Sequence, residues 1–401
     1  MAEIDIRNTH QKGLSEDVHG MAEQLAGKVM SAVGGSLAIA LAGVGYEVGL
    51  YKQLARIGPC TPNQLAQSTG CVERYVRDWL INQTSAQFIS YDTQANTFYL
   101  SDAQKLVFTD EAAPFYRGGE VHMGTALMHS AIHLVPQEIR KCVGIPWSSQ
   151  LPQLFIGVSD HYKETYKTLL IPTWLPAALP SHLLERLNYK VIDKPLIFLD
   201  VGCGLGFATR LLAKHYPQHY FVGIDNHKPS IQVAQEKASA EGVQENCFFC
   251  EEAAHDIHPL SEIKDFQENW KSQIPGGGKP EKYDVVAIFD SLHDMADPLS
   301  VLLSVKNQLS QQGVLMLVEP NAADDVAGNL TQAGLMYSAF SLLCCTPAGI
   351  AGRADGKPAK SENLGTLAPD CKYFALSEQA GFSSFKKVFS DTFNRVFAIL
   401  P

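Results

Sequence analysis

Charge is scarce in this chain of 401 residues. Asp, Glu, Lys and Arg make up 18% of it, against roughly 25% in an average soluble domain. Acids outnumber bases by 42 to 32, and the net charge of −10 repels a phosphate backbone, which argues against nucleic acid as a partner. With 46% hydrophobic residues, the composition excludes extended disorder and leaves apolar material for a large core and a subunit interface. Internal repeats are lacking, and low complexity is confined to Gly276-Gly277-Gly278. The nine cysteines are odd in number and scattered, which excludes a disulfide framework and suits a reducing, cytoplasmic setting. No secretory leader is expected, because charges are interspersed through residues 1–28. One uncharged run, 29–46, reaches the length of a membrane span. It contains Gly34, Gly35, Gly43 and Gly45 and stands alone, so it is read as a buried or interface helix, with no membrane involved.

What is present divides the chain in three. In residues 1–105, helices over 15–55 lead to Thr61-Pro62, where Thr61 caps a helix with Pro62 in its first turn. A turn at Thr69-Gly70, a helix through Tyr75, Val76, Trp79 and Leu80, and a hairpin from 88–91 and 97–100 complete a winged helix. Residues 45–105 carry five basic and five acidic side chains, with Glu73 and Asp78 beside Arg74 and Arg77. That neutrality favours a protein interface, hence a homodimer through this domain, over a DNA-reading surface. Residues 106–190 read as helical, a linker and pocket roof. From 191 to 401 the pattern changes to apolar runs at 196–201, 220–224, 285–289 and 314–318, separated by amphipathic segments. Strands without alternation are buried on both faces, so this is an α/β domain with an open parallel sheet covered by helices. Segments 385–389 and 396–400 read as a closing antiparallel hairpin.

Each of the four apolar runs ends at or beside an acid: Asp200, Asp225, Asp290 and Glu319. The carboxyl ends of parallel strands are where open sheets bind ligands. The first run continues as Asp200-Val201-Gly202-Cys203-Gly204-Leu205-Gly206, with glycines that let backbone approach a ligand closely. A dinucleotide site requires G-x-G-x-x-G, but the last slot holds Phe207 or Thr209, depending on register. An acid just ahead of the glycines also repels a pyrophosphate. It suits a ligand bearing a sulfonium and an ammonium group, S-adenosylmethionine rather than NAD.

The D-x-G-x-G-x-G pattern, followed by Gly223-Ile224-Asp225, resembles a class I S-adenosylmethionine-dependent methyltransferase over residues 196–400. The resemblance implies a Rossmann-like fold and an enzyme. It implies Asp225 on the ribose hydroxyls, Asn226 and His227 near the adenine, and Glu252-Ala253 at the adenine edge, where the family usually has Asp-Ala. Gly202, Gly204 and the backbone at Phe289 would cradle the methionine portion, and Asp200, Gly206 and Asp290 would also belong to the donor site. The stretch Phe289-Asp290-Ser291-Leu292-His293-Asp294-Met295-Ala296-Asp297 is similar to the L-H-D-x-x-D segment of plant-type and hydroxyindole O-methyltransferases, in which the His is the general base. Met295 stands where the plant-type enzymes have Trp. The whole chain resembles a bacterial branch of winged-helix methyltransferases, through Gly49-Leu50-Tyr51-Lys52, 73–80 and Phe393-Asn394-Arg395-Val396-Phe397. The implied reaction is methyl transfer to a small organic acceptor, with His293 as base oriented by Asp294 or Glu319.

Other features compete for a role. His122, His129 and His133 share one face of a regular helix and could line the acceptor pocket, as could Trp174 and Tyr337; no metal is expected. Cys247 and Cys250 read as core. Cys344, Cys345 and Cys371 suggest a thiol or arsenic acceptor as a lesser alternative. A winged-helix regulator and a cofactor sensor with a methyltransferase-like fold are the other readings.

Overall fold

The computed structural model describes residues 16–141, 143–189, 195–263, 266, 281–351 and 362–401. The glycine tract 276–278 and part of the loop 347–369 lie outside them. The chain forms two units, Met1–Thr125 and Ala126–Pro401.

In the first unit a long helix, Glu16–Glu47, precedes the helices Leu50–Ile57, Pro62–Thr69 and Glu73–Ser85, and then strands β1 (Ser90–Asp92) and β2 (Thr97–Tyr99). Local chemistry sets the boundaries. Thr61 accepts from the Gln64 backbone while the Gln64 side chain returns the bond, and Pro62 opens the helix as expected. The two strands pair antiparallel, and Cys60 bridges to Phe98, completing the wing. The core joins Tyr51, Leu54, Leu65, Trp79 and Leu80. Gly45 is needed there, because a Cβ would lie 2.5 Å from the Trp79 ring.

The 29–46 run corrects half of its reading. It is helical, but Val29, Met30, Val33, Leu37 and Val44 are exposed, and burial in this stretch is confined to a few positions such as Ala38 and Ala42. Two helical stretches, Asp17–Glu47 and Gln332–Ile350, are long and apolar enough to cross a membrane.

The second unit is built on seven strands: β3 (Ile197–Val201), β4 (Tyr220–Asp225), β5 (Cys247–Glu251), β6 (Tyr283–Phe289), β7 (Leu309–Pro320), β8 (Ser384–Ser390) and β9 (Asn394–Leu400). Their order is β5-β4-β3-β6-β7-β9-β8. The first five are parallel, and the β8–β9 hairpin closes the edge with β9 antiparallel to β7. Alternate residues serve two cores: Leu199, Ile224, Ile288 and Leu317 on one face, Phe198, Phe221, Ala287 and Met316 on the other. This two-sided burial explains the unbroken apolar runs. Cys247 joins one core and Cys250 packs against the other, as opposite-facing strand positions must.

Candidate active site

The chain runs from β3 outward to β4 and β5, then crosses back to place β6 on the other side of β3, so the loops after the adjacent strands β3 and β6 part around a crevice. A cavity of about 500 Å³ occupies it. Its wall includes Asp200, Gly202, Gly204, Asp225, Asn226, Glu252, Ala253, Phe289, Asp290 and Asp294. The Gly202 and Gly204 backbones are left-handed, at φ 75° and 53°, and a Cβ on Gly204 would project into open space. The loop therefore presents bare backbone to the cavity. Gly206 is not on the wall: at φ 70° it starts the Phe207–His215 helix, and a Cβ would meet the Phe249 ring at 2.5 Å. Its role is helix–sheet packing.

The acids on the wall differ in what they have left to offer. Asp225 Oδ2 accepts from Gly204 N at 2.9 Å and Oδ1 from His227 N at 2.8 Å. Glu252 Oε1 is taken by His258, through backbone and ring, so only part of its carboxylate faces the adenine position. Asp297 is spent capping the Pro298–Gln308 helix through Ser300. Asp200 Oδ2 accepts from Thr209 Oγ1 at 2.6 Å, but Asp200 Oδ1 and Asp290 Oδ1 are buried without a hydrogen-bond partner. Asp290 adopts φ 52°, unusual for a non-glycine residue. Burial raises the pKa of Asp200 and of Asp290 to about 7. Two orphaned, buried carboxylate oxygens on one cavity are a fit for a ligand carrying positive charge.

His293 is 2% exposed and lies behind the wall rather than on it. Its Nδ1 is 2.5 Å from Glu319 Oε2, and its Nε2 is 3.2 Å from Asp294 Oδ1. Burial alone pushes the imidazole pKa down, but Asp294 and Glu319 outweigh it and hold the pKa well above the usual His value. Glu319 is also off the wall; its Oε1 accepts from Leu292 N at 3.1 Å. The four strand-end acids therefore split, three toward the cavity and one toward His293.

The remaining predicted residues fall elsewhere. Trp174 is fully buried in a core cluster, and the Tyr337 hydroxyl donates to the Phe393 carbonyl. His122 belongs to the first unit, beside Tyr46, whereas His129 and His133 pair in the second, with rings 4.7 Å apart. A π-helical turn at Ser130–Leu134 follows His129, and the His129 and His133 rings still meet across its start. None of these lines the cavity. Cys344 and Cys345 are buried and Cys371 is exposed, and they form no metal-ligating trio among the described residues.

Sequence reasoning missed an aromatic wall. Phe155, Tyr162 and Tyr166 line the cavity with Phe207 and Phe289, and the Phe155 ring stacks on His227 at 4.2 Å and 6°. The i, i+7, i+11 spacing of the first three signals one helix face, but a core face has the same spacing.

With this geometry in view, the comparisons are direct. The methyltransferase domain family matches residues 192–366, and the Rv2258c-like winged HTH domain matches residues 35–110. The ubiquinone biosynthesis O-methyltransferase of Pasteurella multocida is 29% identical over 117 residues, 29% of this chain and 43% of that protein. Across such curated relatives the chain spans about half their length. Human N-acetylserotonin methyltransferase, solved in complex with SAM, shares the fold at TM-score 0.64 and 14% identity, covering 94% of this chain and 97% of that one. An O-methyltransferase family protein from Burkholderia thailandensis does so at TM-score 0.61 and 15% identity, covering 95% and 97%. Residues 192–366 are thus a methyltransferase domain, on a fold shared with a solved S-adenosylmethionine complex. A winged-helix domain precedes it in the chain.

Proposed function

We propose that this enzyme methylates a hydroxyl of a small organic acceptor, with His293 as general base. The observation that carries the reading is the His293–Glu319 contact of 2.5 Å, next to a cavity whose acids suit a sulfonium donor. S-adenosylmethionine, when bound, supplies an electrophilic methyl group for in-line displacement. Asp225 would hold the ribose hydroxyls. Asn226, Glu252 and Ala253 would meet the adenine, walled by the Phe155–His227 stack. Asp200 and Asp290 would face the cationic groups over the Gly202–Gly204 backbone and Phe289.

A hydroxyl becomes an effective nucleophile only as its proton leaves, which a positioned imidazole accelerates roughly 10²–10⁴-fold. Glu319 fixes the ring through Nδ1, and Nε2, which faces Asp294, would take the acceptor's proton as the acceptor hydroxyl replaces that contact. Asp294, on the wall and 3.2 Å from Nε2, marks where that hydroxyl enters. Residues 106–190 roof the pocket in this reading, 191–401 bind the donor, and 1–105 join two copies in the cytoplasm. Profiling metabolites with an isotopically labelled methyl donor identifies the acceptor. On it, His293→Gln is expected to lose about 10²–10⁴ in turnover while donor affinity stays within about twofold of the parent. Unchanged turnover would remove His293 from the mechanism.

A further inference from the structure

The terminal motif Phe393-Asn394-Arg395-Val396-Phe397 contributes no residue to the cavity wall. Its Arg395 stands on β9 directly across from Glu319 on β7, and it is fully buried. The guanidinium donates to Asp370 Oδ1 at 2.6 Å, to the Ala322 carbonyl at 3.2 Å and to the Ala368 carbonyl. It also sits 5.0 Å from the centre of the Tyr373 ring. Tyr373, itself fully buried, donates its hydroxyl to Glu319 Oε2 at 3.1 Å. That is the oxygen His293 Nδ1 meets.

We propose that Tyr373, seated against Arg395, is a positioning residue for His293: it shares the Glu319 oxygen with the imidazole and sets how tightly the ring holds its proton. The inference rests on the reading of His293 as the base. The physics is a competition for one acceptor. A hydroxyl donating to Oε2 draws electron density from it and weakens its pull on the imidazole N–H. Without that hydroxyl, Oε2 serves His293 alone and favours its protonated form. The tyrosine thereby moderates a cluster of carboxylates that would otherwise keep the base protonated.

The test reads His293 directly and requires no acceptor. The full chain, labelled with ¹⁵N-histidine and saturated with S-adenosylhomocysteine, is titrated by NMR; the His293 signals are those absent from His293→Gln. Tyr373→Phe keeps the ring against which Arg395 and Phe397 pack. It is expected to move the His293 midpoint upward by about half a unit or more, leaving the other histidines and the calorimetric affinity for S-adenosylhomocysteine unchanged. A midpoint unmoved, or moved down, overturns the proposal. If Tyr373→Phe fails to fold, 3-fluorotyrosine at position 373 supplies the opposite displacement: a stronger donor lowers the midpoint, and no lowering overturns the proposal. The titration can also be run on the free protein. Absent binding of S-adenosylhomocysteine therefore contradicts the donor reading separately from this one, and undiminished turnover in His293→Gln contradicts the base reading.

Discussion

Asp200 and Asp290 each place one carboxylate oxygen in a buried position with no partner, and each titrates near 7 rather than in the usual carboxylate range. In the folded protein they bind protons more tightly than in the unfolded chain. The stability this contributes is present at acid pH and is lost as pH rises through about 7. A cationic ligand reverses the preference by favouring the ionised form, so donor binding is expected to strengthen over the same interval and to release protons just below neutrality. Calorimetry in two buffers of different ionisation enthalpy measures that release, and Asp200→Asn should reduce it and weaken binding about tenfold, roughly 1.4 kcal/mol. His293 runs the other way for rate. Its raised pKa contributes stability below the ordinary His value that is lost as pH climbs through the raised one. Turnover needs the neutral ring, so the rate–pH profile should have its acid limb above pH 6.5, the ordinary His value. A limb at or below that value would contradict the two-carboxylate environment.

At the scale of elements, the sequence was most legible where local chemistry decides the outcome. Thr61 and Pro62 set a helix start, and Thr61→Ala is expected to cost about 1 kcal/mol in urea unfolding of the chain. The apolar runs became β3, β4, β6 and β7 because both faces of the sheet are covered, and the acids beside their ends located the crevice. Gly206 was read from the sequence as a donor-site glycine, whereas in the structure it packs helix against sheet. Its left-handed φ and the Phe249 ring predict that Gly206→Ala destabilises by more than about 1 kcal/mol, whatever the donor does. Three-dimensional pairing was the illegible part. Tyr373 meets Glu319 across 54 positions, a separation no periodicity encodes. The three histidines divide between the two units, His122 in the first and His129 and His133 in the second, which helical spacing does not reveal. Trp174 went to the core because an aromatic at helical spacing carries no mark of which side it faces.

For the whole molecule, the apolar surplus in the composition has a visible destination. The Glu16–Glu47 helix exposes Val29, Met30, Val33 and Leu37, a stripe that water alone does not favour. If a second copy covers it, sedimentation should give a dimer at micromolar concentration, and Leu37→Glu should give monomers; a monomeric parent chain would contradict the dimer. The net charge of −10 and the neutral winged helix predict no salt-sensitive binding to duplex DNA. All of this depends on the cavity being the seat of a positively charged sulfur donor. The most direct measurement is calorimetry of the folded 401-residue chain with S-adenosylmethionine and with S-adenosylhomocysteine. Saturable heat at one site per chain, lost in Asp225→Ala while the variant keeps its unfolding midpoint, is the predicted result. Folded protein that gives no heat with either compound would contradict the account.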